Sequence, residues 1–323
     1  MRIAILGAGL CGLSVAWYLS KLKKHEITIF SPGGIGKGAS GVAAGLLHCY
    51  AGAHSKLNWR AYEAIEATKE LLAVAEDTLG VPVADHCGIF RPVVREKQLE
   101  DFQRCAALHP DVKWVNPDLV GCSKLPGIFI ESGIVVDCPL YMNGLWKACA
   151  NNGAKLEPRA ITNLKELDDR DLIICTLGSA THVLPELAHI KMNLVKGQIL
   201  EFSHDPNDSP MFPYPINSEA YLIPRPKTMT YIAGSTFEKD FSSNEPDIEM
   251  ATSTIIPKIA AFYPSISTKS LIDCRAGVRV EIPNRRPLLT QVSNRCWVLT
   301  GMGSKGLLYH ALYGKELVNM AVS

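Results

Sequence analysis

The glycine-rich unit at the start of the sequence constrains the fold more than any other feature. An apolar run over residues 3–6 leads into Gly7-Ala-Gly9-Leu-Cys-Gly12, a helical pattern follows, and a second apolar run covers residues 27–30. This order of strand, glycine loop, helix and strand within about thirty residues is typical of a dinucleotide-binding βαβ unit. We therefore predict a parallel sheet with a phosphate site at the end of its first strand.

Each of the three glycines has its own physical reason in such a unit. Gly7 allows the tight turn, Gly9 lets the backbone approach a pyrophosphate, and Gly12 lets the helix pack closely on the strand. The helix N-terminus adds free N–H groups and the positive end of its dipole. The alternative is a glycine-rich turn without a ligand, and the surrounding strand–helix–strand order disfavours it.

The second strand departs from the dinucleotide-binding pattern at its last position. An acidic residue there would hold the ribose hydroxyls, but this sequence has Ser31. A serine can donate and accept a hydrogen bond but carries no charge. We expect a weaker hold on the adenosine ribose, and no arginine follows directly to favour a 2′-phosphate.

Size and charge exclude several classes of protein. The 323 residues are 47% hydrophobic and 20% charged, with a net charge of +1, which is typical of a globular enzyme of one or two domains. This charge balance gives no global attraction to a polyanion. No apolar run is long enough for a membrane helix. A strand that begins at residue 2 leaves no room for a signal peptide in this sequence, so we expect a cytoplasmic location.

The ten cysteines indicate core thiols. None forms a C-x-x-C pair, and they are scattered through apolar runs. This spacing disfavours a zinc site or a disulfide framework, so we predict no metal site and a reducing compartment.

The rest of the chain alternates between segments with an α/β pattern and segments rich in predicted strands. A long helix is predicted over residues 59–79, another opens at Asp137, and a final glycine-rich turn precedes a helix near residue 307. The fold class predicted is α/β plus antiparallel β: a Rossmann-type nucleotide-binding domain with a discontinuous β-rich substrate domain. The nucleotide-binding domain is assigned residues 1–80, 138–195 and 272–323. The substrate domain is assigned residues 81–137 and 196–271.

A second informative stretch covers residues 38–47. It is small, flexible and nearly uncharged, which suits a backbone lying against a large planar ligand. A solvent loop, or a helix start capped by Ser40, is an equally good interpretation from these residues alone.

This stretch, Gly-Ala-Ser-x-x-Ala-Ala-Gly, resembles the flavin-contact segment of the D-amino-acid oxidase family of FAD enzymes. That family includes glycine, sarcosine and D-amino-acid oxidases and dehydrogenases. Further segments resemble family motifs in the expected order, namely Val-Lys-Gly-Gln-Ile-Leu at 195–200, Tyr-Leu-Ile-Pro at 221–224, Ile-Ala-Gly-Ser-Thr-Phe-Glu at 232–238, the arginine segment at 276–287 and the glycine turn at 300–306. The resemblance covers the whole chain and implies FAD as the cofactor.

The resemblance also implies which residues contact FAD. The pyrophosphate would lie against Gly7, Gly9, Gly12 and Gly178. The adenosine would lie near Ser31 and near the backbone of Ile161. The isoalloxazine would be lined by Ala39, Ser40, Ala43, Ala44 and Gly45. Its pyrimidine end would face Gly303, Ser304, Lys305 and Gly306, where Lys305 and the last helix could stabilise negative charge.

Three residues are catalytic candidates through the same resemblance. Arg279 matches the arginine that pairs with an amino-acid carboxylate, and Tyr221 matches a tyrosine that closes that site. His48 could hydrogen-bond ligand or flavin. The alternatives are a surface arginine, a half-buried sheet tyrosine and a structural histidine.

Departures from the family pattern refine the expectation. Covalent flavin in this family uses a cysteine or a histidine, but here Gly277 and Val42-Ala43 stand at those places. We therefore predict non-covalent FAD. Ile232 stands where some members have a lysine, which favours an electron acceptor other than oxygen. Val280 replaces the family proline after the arginine.

Three functions remain open. The first is FAD-dependent oxidation of the C–N bond of a small-molecule amine, an amino acid or an N-substituted glycine, by hydride transfer to flavin N5. The second follows from Gly-Ser-Lys-Gly-Leu at 303–307, which is similar to the turn in the FAD module of bifunctional enzymes that modify the tRNA wobble uridine, where a carboxymethyl group is removed. A basic cluster could then help tRNA dock: Arg275, Arg279, Arg285, Arg286 and Lys305. The near-zero net charge, and a sequence without a methyltransferase half, oppose that function. The third is a non-catalytic flavoprotein.

Overall fold

Two large sheets organise the protein, whose computed structural model describes residues 1–116, 125–208 and 210–322. The strands are β1 (Arg2–Leu6), β2 (Glu26–Phe30), β3 (Leu46–Leu47), β4 (Tyr50–Ala51), β5 (Lys56–Leu57), β6 (Ala84–Asp85), β7 (Ile89–Pro92), β8 (Val112–Val115), β9 (Gly127–Ile130), β10 (Ile134–Val136), β11 (Lys155–Glu157), β12 (Leu172–Cys175), β13 (Asn193–Ser203), β14 (Ile216–Asn217), β15 (Tyr221–Arg225), β16 (Thr230–Gly234), β17 (Leu271–Glu281), β18 (Leu288–Ser293) and β19 (Cys296–Thr300). The helices are α1 (Leu10–Lys21), α2 (Ala39–Val42), α3 (Ala61–Leu79), α4 (Glu96–Leu108), α5 (Cys138–Asn151), α6 (Ile248–Ala260) and α7 (Gly306–Val322).

The first sheet has the strand order β11-β2-β1-β12-β19-β18. Its first five strands are parallel, and β18 pairs antiparallel with β19 at the edge. Apart from Arg2, every residue of β1 is buried, because one face packs against α1, α3, α5 and α7 and the other against short helical turns after β11 and β12. Such continuous apolar strands are typical of parallel sheets covered on both faces. The structure therefore has the α/β layer that the first thirty residues predict.

The second sheet has eight strands in the order β17-β13-β16-β15-β14-β7-β9-β8. The neighbours are mostly antiparallel, and β13 pairs with β17 from Asn193 opposite Glu281 to Phe202 opposite Leu271. Helix α6 covers one face, where its Ile255 packs against apolar residues of the sheet. The opposite face meets the segment around Ala44. A mixture of parallel and antiparallel sheets thus confirms the predicted fold class.

The strands of the two sheets come from the predicted domain ranges, with one difference. All six strands of the first sheet lie in the ranges assigned to nucleotide binding. Strand β17, however, joins the second sheet, although the predicted division places residues from 272 onward in the nucleotide-binding domain. Its long pairing with β13 accounts for this, because ten of its eleven residues have a partner on β13 and hold it there. The domain boundaries themselves stay a prediction.

The described residues bear on two expectations, that the cysteines are core thiols and that no segment is a membrane helix. The nine described cysteines are all free thiols, and six of them are buried. The tenth, Cys122, lies outside the described ranges. Within those ranges, no helix is both long and apolar enough to cross a bilayer.

Candidate functional site

The first glycine loop is built as its spacing predicts. Gly7 has φ +104° and donates its N–H to the carbonyl of Phe30 at 2.9 Å. A Cβ at Gly7 would lie 2.6 Å from the Thr176 carbonyl oxygen, and one at Gly12 would lie 1.9 Å from the Gly7 carbonyl oxygen. Both positions therefore need glycine, the first for backbone conformation and the second for helix–strand contact.

The loop also leaves space for a ligand. Gly9 is the N-cap residue of α1, which has no side-chain cap, and a Cβ at Gly9 would meet only the side chain of Ser40. A Cβ at Gly34 or at Gly178 would have no described atom within 4 Å. Gly178 follows β12, the neighbour of β1, so this open space lies at the carboxyl ends of the parallel strands. A helix N-terminus beside such a space fits a pyrophosphate.

Ser31 and Ile161 lie beyond the end of β2. The Ser31 hydroxyl donates to the Gly34 carbonyl at 2.8 Å, and the Ser31 N–H donates to the Glu157 carbonyl at 3.0 Å. The serine oxygen can therefore still accept a hydrogen bond, while its proton is used locally. Ile161 is buried in the same apolar cluster as Phe30, so it can offer a ligand only backbone or apolar contacts.

Residues 38–47 connect the glycine loop to the second sheet. Gly38 is the N-cap residue of α2, so Ser40 is not the cap; instead the Ser40 hydroxyl oxygen accepts the N–H of Leu10 at 3.3 Å. Gly45 has φ +91°, and a Cβ there would lie 1.9 Å from the Val136 carbonyl oxygen. Ala44 then packs against apolar residues of the second sheet. This path supports the interpretation as a ligand-contact segment over that of a solvent loop.

Arg279 and Tyr221 come together on one face of the second sheet. Strand register carries Arg279 opposite Val195 on β13, and Tyr221 opposite Gly234 on β16. Gly234 in turn lies opposite Ile199, four residues after Val195 on β13. Residues two or four apart on a strand share a face. Both predicted substrate residues therefore project from the face that also contacts Ala44.

Two glycines make room for these side chains. A Cβ at Gly197 would lie 2.5 Å from Nη2 of Arg279, and one at Gly234 would lie 2.6 Å from the hydroxyl of Tyr221. The Arg279 guanidinium donates to the Thr236 carbonyl at 3.2 Å and lies 5.9 Å from the ring centroid of Phe237. Both side chains thus lie flat on the sheet, which fixes their polar ends.

Among the described residues, no carboxylate pairs directly with the charge of Arg279. Burial lowers the pKa of Arg279, and the neighbouring Tyr221 and Glu281 raise it, so the guanidinium stays protonated. Within the described ranges, the Thr236 carbonyl is its hydrogen-bond acceptor and no carboxylate forms an ion pair with it. Its remaining N–H groups can therefore bind an anion.

Tyr221 is a neutral hydrogen-bond donor. Burial raises its pKa to about 12, against the opposing effects of Arg279 and of a hydrogen bond with Ser235. The phenol is therefore protonated at neutral pH, and together with Arg279 it can bind a carboxylate.

His48 is held by other residues. Its Nδ1 accepts the N–H of Tyr50 at 3.2 Å, and its Nε2 lies 3.2 Å from the side-chain amide of Asn217. Burial and the nearby Arg91 lower the pKa of His48 to about 3, so the ring is neutral. Because Nδ1 accepts, Nε2 carries the proton in the neutral ring. The structure places Nδ2 of Asn217 beside it, and exchanging the nitrogen and oxygen positions of this amide makes the oxygen the acceptor. Both nitrogens are occupied, which favours the structural alternative for this histidine.

The last glycine turn lies beside the end of β17. A short helical turn covers Gly303–Lys305, with Ser304 exposed, and α7 begins at Gly306. Burial and Arg285 lower the pKa of Lys305, while Glu281 raises it. Glu281 also forms a backbone bridge with Met302. A cation and a helix N-terminus therefore give this turn a positive potential.

The cluster of basic residues divides in two. Arg275 forms ion pairs with Glu201 at 2.9 Å and Asp273 at 3.1 Å. It borders a cavity of about 200 Å³ whose lining also includes Ala43, Ala44 and Arg225. Arg286 instead lies 4.5 Å from the ring centroid of Trp59. Arg275 and Arg279 share a strand face, but Arg275 is neutralised and Arg279 is not.

Sequence reasoning missed two polar residues of this region. The hydroxyl of Thr300 is buried at the end of β19 without a described partner. Its place at the carboxyl end of a parallel strand is a signal that could have identified it. Glu281 lies two residues after Arg279, and strand alternation could have placed it on the same face.

A family profile described as FAD dependent oxidoreductase (DAO) matches residues 2–320. The tRNA 5-methylaminomethyl-2-thiouridine biosynthesis bifunctional protein of Polaromonas naphthalenivorans is 24% identical over 98% of this chain and 56% of its own length. The glycine oxidase of Bacillus licheniformis is 22% identical over 98% of this chain and 91% of its own. This chain therefore spans a little over half the length of the bifunctional relative.

Solved structures agree on the fold. The glycine oxidase of Geobacillus kaustophilus superposes with a TM-score of 0.84 at 20% identity, covering 100% of this chain and 96% of that one. The L-proline dehydrogenase of P. horikoshii has a TM-score of 0.82 at 14% identity, covering 99% and 93%. The open cradle at the first glycine loop and the buried, unpartnered Thr300 hydroxyl fit a bound dinucleotide. The chain belongs to the DAO family of FAD-dependent oxidoreductases.

Proposed function

We propose that this enzyme oxidises the C–N bond of an amino acid or an N-substituted glycine. The observation that carries the proposal is Arg279: a half-buried guanidinium without a described carboxylate partner, beside the protonated hydroxyl of Tyr221. An arginine with free N–H groups and a neighbouring phenol form a site for one carboxylate. Amino acids and N-substituted glycines share that group.

FAD would be held by the residues that the resemblance names, without a covalent bond. Its pyrophosphate would lie against Gly7, Gly9, Gly12 and Gly178, its ribose near Ser31 and its adenine near Ile161. Its ring would lie along Ala39, Ser40, Ala43, Ala44 and Gly45, with its pyrimidine end toward Gly303, Ser304, Lys305 and Gly306. When bound, FAD supplies the acceptor of a hydride from the carbon next to nitrogen.

The protein's own contribution is orientation. Arg279 binds the substrate carboxylate through two parallel hydrogen bonds, and Tyr221 donates a third. Because both side chains lie flat against Gly197 and Gly234, their polar ends are fixed before the substrate arrives. Fixing the carboxylate fixes the neighbouring C–H bond, and such positioning can supply most of the rate acceleration. We give His48 no proton-transfer role, because both its nitrogens are occupied.

The first experiment is an anaerobic visible spectrum of the purified protein during addition of glycine, sarcosine, D-alanine, D-proline and an N-alkylglycine nucleoside. Loss of the oxidised-flavin band on adding one of them supports the proposal and identifies the substrate class. A flavin spectrum that none of them bleaches contradicts oxidation of free amines and favours a macromolecular substrate or a non-catalytic flavoprotein. A protein without flavin contradicts the cofactor assignment.

A second candidate is oxidation of a modified tRNA base, which the bifunctional relatives favour. Trp59, 54% exposed, stacks with Arg286, and Arg285 and Lys305 lie close to each other. An aromatic side chain beside cations is a surface that can bind nucleic acid. A gel shift with tRNA whose strength falls steeply with salt supports this candidate, and no shift at low salt contradicts it.

A further inference from the structure

We propose that Glu281 binds the amino group of the substrate, so that the site recognises both ends of an amino acid. This inference rests on the proposed function, in which Arg279 binds the carboxylate. It gives a role to Glu281, a residue of the 276–287 segment to which the family resemblance assigns none.

The first step is the position of Glu281. Residues two apart on a strand share a face, so Glu281 at the end of β17 projects to the same side as Arg279. A Cβ at Gly303 would lie 3.4 Å from Cγ and 3.6 Å from Oε1 of Glu281. The carboxylate therefore stands between Arg279 and the last glycine turn, where the resemblance places the flavin's pyrimidine end.

The second step is that this carboxylate is unpaired. Its charge acts on both Arg279 and Lys305, yet among the described residues its side chain forms no ion pair and no hydrogen bond. Arg275, on the same strand face, is paired with two carboxylates. Arg275 is thus neutralised, whereas neither Arg279 nor Glu281 has an oppositely charged partner in an ion pair within the described part of the chain.

The third step is chemical. A half-buried carboxylate gains when it accepts an N–H hydrogen bond, and an amino group offers such bonds whether it is protonated or neutral. An amino acid carries its amino group two bonds from its carboxylate carbon. A cation and an anion two residues apart on one strand therefore complement the two ends of such a substrate. We infer that Glu281 discriminates amino acids from carboxylic acids that lack nitrogen.

The test compares two matched ligand pairs, glycine with acetate and D-alanine with propionate, on the flavin-loaded protein. Dissociation constants for the amines come from the saturation of anaerobic flavin reduction, and those for the acids come from perturbation of the flavin spectrum. For Glu281→Gln we expect the amine that reduces the wild-type flavin to bind at least about tenfold more weakly, with binding of its matched acid unchanged or tighter. Arg279→Leu should weaken both ligands of the pair.

Two further variants make the outcome decisive. Glu281→Asp keeps the charge but shortens the side chain, so it should retain part of the preference for the amine over its matched acid. If Glu281→Gln does not fold, the ratio of amine to acid binding in Glu281→Asp is the measurement that tests the role of Glu281. Glu249→Gln removes an exposed carboxylate in the first turn of α6, which packs on the opposite face of the second sheet, and should leave both constants unchanged.

The failures are distinguishable. If no amine reduces the wild-type flavin, the proposed function fails and this inference fails with it. If an amine does so and Glu281→Gln keeps the wild-type ratio of amine to acid binding, the role of Glu281 alone is overturned. Equal weakening of both ligands would also overturn it, because that indicates a structural role.

Discussion

Arg279 and Arg275 show how one strand uses the same residue type in two ways. Both project from the same face of β17, four residues apart, but within the residues that the structure describes only Arg275 pairs with carboxylates. Arg279 lies over a glycine, with a carbonyl as its acceptor. An unpaired guanidinium costs desolvation free energy, and a substrate anion offsets that cost.

Replacing Arg279 by leucine should therefore act mainly on substrate binding. We expect the KM of the amine substrate to rise about 100-fold, because a bidentate charged pair contributes roughly 3 kcal/mol. Steady-state kinetics measure this change. Arg295→Gln is the control, because Arg295 pairs with Asp168 beside the first sheet, and it should leave KM within about threefold. An unchanged KM for Arg279→Leu would remove the carboxylate role from this residue.

The lowered pKa of His48 predicts that the free energy of unfolding falls as the solution is acidified. Its folded-state pKa of about 3 lies below its ordinary value, so the unfolded chain binds more protons between the two pH values. The stabilisation is present above about pH 6.5 and is lost as the pH falls toward 3, by at most about 1.4 kcal/mol per pH unit.

Urea unfolding of wild type and His48→Gln from pH 7 to pH 4 measures this. The variant should lose less free energy of unfolding on acidification than wild type. His310, whose pKa is lowered to about 4, remains in both proteins and serves as the common background. Parallel curves would contradict a neutral, buried role for His48.

Among the elements, the contact between β1 and α1 depends on one glycine. A methyl group at Gly12 would overlap the Gly7 carbonyl, so Gly12→Ala must displace the helix from the strand. We expect a loss of roughly 1–3 kcal/mol in the free energy of unfolding and weaker FAD binding. Thermal unfolding and fluorescence titration with FAD measure the two effects.

Gly38→Ala is the matched control for this prediction. Gly38 has a negative φ, and a Cβ there would have no described atom within 4 Å. The control should keep wild-type stability. If both variants behave alike, helix–strand contact at Gly12 is not the cause.

Local pattern predicts elements well and their partners less well. The helix expected over 59–79 spans Ala61–Leu79, and the helix expected at Asp137 begins after that residue, whose side chain accepts the N–H of Leu140 at 3.1 Å. Caps and periodicity are encoded by residues close in sequence. The sequence did not predict that β17 joins the second sheet, nor the roles of Glu281 and Thr300. These features depend on pairing between segments that are distant in the sequence.

For the whole molecule, the proposed non-covalent binding of FAD has a consequence that can be measured directly. Gly277 stands at the place of the family cysteine, and a Cβ there would lie 3.1 Å from Cα of Ala39. We expect acid precipitation to give a colourless pellet and a yellow supernatant. Adding FAD to the apo-protein should raise Tm with increasing FAD concentration, because a ligand of the folded state stabilises it by mass action. Yellow colour in the pellet would contradict dissociable FAD.

The order of strands in the first sheet determines when the sheet can be completed during synthesis of the protein. Strand β19 lies between β12 and β18, yet it comes from residues 296–300 of a 323-residue chain. While the ribosome is still adding residues before 296, β12 has an open edge that lacks its neighbour, and α7 has not formed to cover α1. The nucleotide site is therefore incomplete until β19 and α7 have been synthesised, so a nascent chain stopped at residue 290 should retain no FAD and should depend on chaperones that shield unpaired strands.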